Sequence, residues 1–268
     1  MMKLFIAGFL MITMLHVGRA QTVPTCSKLF MDSGVVSGGA NITSFNDSIY
    51  FSFYTQDQSF SGFQYVDFVK TTSGGSEDKR LAIKYPGWAY STGAGGSLRV
   101  TSDGYLIDGG NSGPFQVIGS GTFFKLDRST LDTLYIKYYR DLGTGADFFG
   151  AGGLSDGNYL FSGDKGDSMT VNDSAWIVKT DTVGNVLWEK TMVSDFYNTA
   201  YFTSPFSGGV YQYWTTEEKN PQTANLADSA IFVDRYDNAG NLQWRDTFGH
   251  VGYYNYPGPF TGLREGGG

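Results

Sequence analysis

The sequence predicts an all-β fold of four-stranded antiparallel units repeated about every 54 residues. Three observations predict it. Similar phrases recur along the chain, most clearly Ser155-Asp-Gly-Asn-Tyr-Leu-Phe-Ser-Gly163, Ala175-Trp-Ile-Val-Lys-Thr-Asp181 and Gly184-Asn-Val-Leu-Trp-Glu-Lys190. The basic residue of the middle phrase returns as Lys70, Lys125, Lys179 and Arg235, at spacings of 55, 54 and 56. Composition agrees: 16% aromatic, 17% charged and 37 Gly suit short strands joined by tight turns.

Each copy resolves into four short runs rich in Val, Ile, Tyr, Phe and Trp. In the first copy they are 40–44, 48–54, 64–70 and 80–85; in the second, 95–101, 105–110, 122–127 and 133–139. The third gives 151–154, 158–163, 175–180 and 186–191; the fourth, 201–203, 209–214, 230–236 and 242–247. The turns carry the pairing information. Asp103-Gly104 and Asp156-Gly157 place glycine where a tight hairpin needs positive φ. Asp181-Thr-Val-Gly-Asn185 and Asp237-Asn-Ala-Gly-Asn241 are longer loops in which Asp bonds the backbone ahead of it.

A meander of four strands cannot bury both faces alone, so neighbouring sheets must stack, and radial stacking makes a β-propeller. The expected organisation is a leader at 1–20, an N-terminal segment at 21–39, blades at 40–86, 95–140, 149–192 and 200–248, and the start of a fifth at 258–268. Ring closure needs about 4–8 blades, so the sequence reads as a partial propeller, a fragment of a longer protein. Trp188 and Trp244 hold one position of the last strand, with Tyr135 in the matching place of the second copy. Such rings are expected to wedge between blades.

Export is the expected address. Lys3 precedes an apolar run at 4–15, and Gly18-Arg-Ala20 supplies small residues for cleavage after Ala20. That run is shorter than the roughly 20 residues a spanning helix needs, so no transmembrane segment is expected in the mature chain. Without the leader, 17 basic residues face 26 acidic ones, a net charge of −9. An acidic surface repels phosphate backbones and argues against nucleic acid as a partner.

The phrase Asp-Gly-x-Tyr-Leu, followed by Trp-Ile-Val-Lys-Thr-Asp-x-x-Gly-Asn-x-Leu-Trp-x-Lys, resembles the repeats of secreted propeller proteins common in Bacteroidetes. The resemblance covers roughly residues 40 to 268. It implies cell-surface display through a C-terminal sorting domain, expected to lie outside this fragment, and usually no known activity. The loops at 181–188 and 237–244 are also similar to the tryptophan-docking repeats of quinoprotein-like propellers, one residue shorter between Asp and Gly. The metal and quinone ligands of that family match no position here, so no cofactor is expected.

Catalytic candidates are few. Cleavage removes His16, leaving His250 in a Gly-His-Val-Gly linker without a nucleophile motif. One Cys and one His cannot make a zinc site. Asp164, Asp167 and Asp173 share a loop that could bind Ca²⁺, yet their spacing departs from the EF-hand loop, and a solvated acidic loop is the preferred reading. Loops after the second and fourth strands are long and leave the same end of each unit, where binding is expected. The connectors there carry Trp88, Tyr90, Phe148, Phe149, Tyr253, Tyr254 and Tyr256, read as exposed aromatics that suit sugar rings or protein hot spots. The structural alternative, that they cap the blade tops, is the favoured one. The expected function is a secreted or surface-exposed, non-catalytic binding or scaffold module for protein or carbohydrate. The alternative is a carbohydrate-active or quinoprotein-like propeller enzyme.

Overall fold

Strand-forming runs and turn residues alternate through the whole described chain. The computed structural model describes residues 35–57, 64–93, 96–114, 119–139, 145–166, 174–192, 197–219 and 226–248. The leader, Cys26, His250 and Tyr253, Tyr254 and Tyr256 lie outside them. All regular structure among the described residues is strand, and no helix there is long and apolar enough to cross a membrane.

Four antiparallel meanders follow one another. The first is β1 (Val35–Phe45), β2 (Ser48–Asp57), β3 (Gln64–Thr72) and β4 (Glu77–Ile83). The second is β5 (Trp88–Thr92), β6 (Arg99–Val100), β7 (Tyr105–Pro114), β8 (Ser120–Asp127) and β9 (Thr133–Tyr139). The third is β10 (Ala146–Gly153), β11 (Tyr159–Lys165), β12 (Ser174–Thr180) and β13 (Val186–Met192). The fourth is β14 (Tyr197–Phe206), β15 (Gly209–Lys219), β16 (Leu226–Asp237) and β17 (Leu242–Phe248). The first two share a nine-stranded sheet through a single parallel pairing, Gln64 with Ala89, and the others are separate four-stranded sheets.

The turns take the predicted form. Gly104 and Gly157 sit at φ +88° and +83°, a region that costs an L side chain energy. Asp181 and Asp237 each accept from the backbone N–H two and four residues ahead.

Strand alternation builds three cores, one at each junction. Tyr50, Val66 and Phe68 of the first unit meet Leu106, Phe124 and Leu126 of the second. Ile107 and Phe123, on the opposite face of the second, meet Phe148, Phe161, Trp176 and Val178 of the third. Leu160 and Ile177 then meet Val210, Trp214 and Tyr236 of the fourth. Successive residues of β8 thus serve two different junctions, as period-two strands require. The closest packing between units sets β10 against β7, and β14 against β10 and β11. The fourth strands β9 and β13 carry mostly exposed or half-buried side chains until their last residues, and β17 is exposed throughout.

Two local expectations are corrected. The predicted strand 95–101 is broken: β5 and β6 both pair with β7, on either side of a glycine-rich stretch at 93–96. Gly93 donates to the Gly109 carbonyl, and a Cβ there would lie 2.9 Å from the Phe149 carbonyl of the next unit. The predicted connectors holding Trp88, Tyr90, Phe148 and Phe149 are consequently first strands, β5 and β10.

Candidate functional site

The sequence Tyr85-Pro86-Gly87-Trp88 dictates the local geometry of an exposed aromatic cluster. Proline fixes φ at the first central position and Gly87 takes +77° at the second, a type II turn. The Trp88 N–H closes it on the Tyr85 carbonyl at 3.1 Å. The turn folds Tyr85 back on Trp88, with ring centres 6.2 Å apart and planes at 90°. On the other side Trp88 stacks on Tyr90 at 6.2 Å and 24°. Tyr138 of β9 approaches Trp88 to 5.5 Å, and its hydroxyl lies 3.3 Å from that of Tyr90.

The cluster is anchored below and open above. Trp88 packs on the first core, while Tyr85 and Tyr138 are 60% and 43% exposed. Burial, then the neighbouring Tyr138 hydroxyl, pushes the Tyr90 phenol well above its ordinary range, so it stays neutral. Lys84 places its ammonium 4.5 Å over the Tyr65 ring nearby. The arrangement offers aromatic faces with hydroxyl edges and no nucleophile or paired carboxylates of its own.

The predicted residues therefore separate. Trp88 belongs to this cluster and is half-buried. Tyr90 is buried beneath it, a support rather than an exposed surface. Phe148 is fully buried, stacked on Trp176 at 4.9 Å, and the expectation that it is exposed is overturned. Phe149 is half-buried on β10. Tyr85 and Tyr138, the most open members, carried one sequence signal between them: the Pro-Gly turn beside Tyr85.

The charged groups of the interior are joined to neighbours. Lys125 donates to the Tyr159 hydroxyl at 2.8 Å and to the Thr182 carbonyl of the next unit at 2.9 Å, and pairs with Asp103. Lys179 repeats this one unit later, donating to the Asn238 carbonyl at 2.6 Å and pairing with Asp156. Trp188 is the predicted wedge. Its indole N–H donates to the same Asn238 carbonyl at 3.1 Å, and its ring lies 2.9 Å from where a Gly240 Cβ would stand. Tyr135 and Trp244, expected to wedge likewise, are instead exposed; Tyr139 ties the preceding junction through its hydroxyl to the Gly184 carbonyl at 2.9 Å. Asp164, expected in a loop, is buried at the end of β11 near Thr199. Asp167 and Asp173 lie outside the described residues. Among those described, no group of three or more His, Cys, Asp or Glu could hold a metal.

One buried carboxyl shapes the pH response. Asp108 is fully buried, accepts from the Ser97 hydroxyl, and keeps one oxygen without a partner. Burial pushes it up to about 7, against opposing hydrogen bonds and the Arg99 charge. The fold therefore favours the protonated form. This contribution is complete below pH ~4 and is lost as pH rises through about 7. Asp108→Asn should shrink the fall in melting temperature between pH 4.5 and 8; an unchanged fall would show that Asp108 does not titrate there.

No family model matches the chain, and no curated protein matches it.

Proposed function

We propose that the chain is an exported, non-catalytic binding module of β-propeller type, whose aromatic cluster around Trp88 contacts a carbohydrate or protein ligand. The observation that carries this reading is the pairing of rigidity with exposure. Trp88 is fixed by the first core and a type II turn, while Tyr85 and Tyr138 present their rings to solvent. Preorganised aromatic rings bind with little conformational cost, which is why they dominate hot spots and sugar platforms.

The propeller arrangement is supported by packing between units that concentrates on the first strands β10 and β14, while the fourth strands stay largely exposed. A binding rather than catalytic role is supported by the commitment of Lys125, Lys179 and Asp234 to structural contacts. Export rests on the leader at 1–20.

The test is retention of the full chain on a panel of immobilised polysaccharides and on candidate surface proteins. The ligand found should be held at least tenfold less tightly by the Tyr85→Ala/Tyr138→Ala double variant, with its melting temperature nearly unchanged. Undiminished retention by that variant would sink the assignment of the site. Turnover of any polysaccharide in the panel would sink the non-catalytic reading.

A further inference from the structure

The third and fourth units leave an open cleft of about 630 Å³ between their outer parts. Lys190, Thr191 and Met192 of β13 form one wall. The opposite wall is Trp214, Tyr236, the turn at Gly240 and Asn241, Leu242 and Arg245. The volume lies within the range of small-molecule sites, roughly 300–1,000 Å³, and is far larger than a bare ion needs.

The repeat explains why a cleft exists at this junction. Strand register places Tyr135 opposite Lys125 and Trp188 opposite Lys179, so Lys137 and Tyr139 correspond to Lys190 and Met192. At the junction of the second and third units, Lys137 donates to the Asn185 side chain at 3.2 Å and Tyr139 to the Gly184 carbonyl at 2.9 Å. Together they cover the turn. One unit later Met192 has no hydroxyl with which to make the second contact, and the corresponding turn, Gly240-Asn241, lines the cleft.

The lining has a definite chemistry. Two cations line the cleft and, among the described residues, no carboxylate does. Arg245 is held by Asp234, through Nε at 2.6 Å and a second nitrogen at 2.8 Å. That carboxylate is fully buried behind the wall and also accepts from Trp214 and Tyr236. Arg245 is therefore fixed in position with guanidinium hydrogens to spare, since five donors serve one carboxylate. Among the described residues Lys190 has no carboxylate partner; adjacent Glu189 pairs instead with the Trp176 indole N–H at 2.9 Å. Asn241 adds an amide, whose nitrogen also donates to the Asp237 carboxylate at 3.0 Å, and Leu242 with the aromatic edges supplies an apolar side.

We propose that this cleft binds a sugar acid, a small polyhydroxylated carboxylate. Its carboxylate is taken by Lys190 and Arg245, and its hydroxyls by Asn241. The site is separate from the Trp88 cluster, so either assignment can fail without the other.

The full chain is titrated with sodium glucuronate, glucose and sodium sulfate, followed by ligand-observed NMR. Glucuronate should saturate in the millimolar range and glucose should not. Lys190→Glu should weaken glucuronate by about tenfold or more, the scale of a lost charged hydrogen bond. Met192→Tyr, which restores the filling residue of the preceding junction, should abolish binding. Both variants should melt near the parent; if Met192→Tyr does not fold, Lys190→Glu alone decides. Equal responses to glucose and glucuronate would overturn the proposal, as would binding that survives Lys190→Glu. Sulfate binding as tightly as glucuronate would overturn it in favour of a simple oxyanion site.

Discussion

Phe148→Ala should cost about 3–5 kcal/mol of stability, the range for removing a buried aromatic ring. The ring is fully buried and fills the middle of the second junction. It stacks on Trp176 at 4.9 Å and 19°, and lies 5.2 Å from Phe161 and 5.6 Å from Tyr139. Gly109 and Gly121 supply the room: a Cβ on either would come within 3.0 Å of the Phe148 side chain. Those glycines leave space shaped to the ring, and backbone that close to the cavity cannot collapse far to refill it. Against a total of roughly 5–15 kcal/mol for a folded domain, this one substitution removes a large share. Chemical denaturation with near-ultraviolet circular dichroism would measure it. The same variant separates support from surface, because retention per folded molecule should equal the parent's. A loss of retention with stability intact would return Phe148 to the ligand-contacting residues.

The repeat was legible because each unit must solve the same two problems, turning its hairpins and gripping its neighbour. Asp-Gly turns and the periodic lysine carry both solutions in local sequence. The placement of Phe148 was not legible. The pairing of β10 with β11 slips between Phe148 and Gly150, so simple alternation does not predict which of Phe148 and Phe149 points inward. By sequence alone Trp88 and Tyr90 fall in a connector, because the glycines at 93–96 interrupt the strand that follows them. The aromatic cluster was half visible. The Tyr-Pro-Gly-Trp turn is local, but Tyr138 joins it from 50 residues beyond Trp88, through strand pairing that no window contains. The polar joints between units were hidden for the same reason. The Asn41 side chain, for example, donates to the Gly93 carbonyl at 2.8 Å and accepts from the Gly96 N–H at 2.6 Å.

Lys125→Met should destabilise the chain by about 2–4 kcal/mol, because it strips a buried cation from a set of groups arranged around it. Methionine keeps most of the stem, so the loss isolates the ammonium. The Thr182 carbonyl and Tyr159 hydroxyl lose its hydrogen bonds, and Asp103 loses its counter-charge. For a chain of this size, each kcal/mol shifts the melting temperature by about 2–4 °C. Lys179→Met should act alike at the next junction through Asn238 and Asp156. The acid response separates this account from a simple packing defect. Burial would raise the Asp103 carboxyl, but the Thr101 and Tyr159 hydroxyls and Lys125 together hold it below its ordinary value. Its stabilisation is therefore present at neutral pH and lost as pH falls through ~4 and below. Lys125→Met should weaken that acid-induced loss, whereas a packing defect would lower stability equally at pH 7 and pH 3. The two lysines serve different junctions, and stacked units contribute nearest-neighbour terms, so the double variant should lose close to the sum of the singles. A loss well beyond that sum would mean that the units grip one another as a single cooperative body rather than pair by pair.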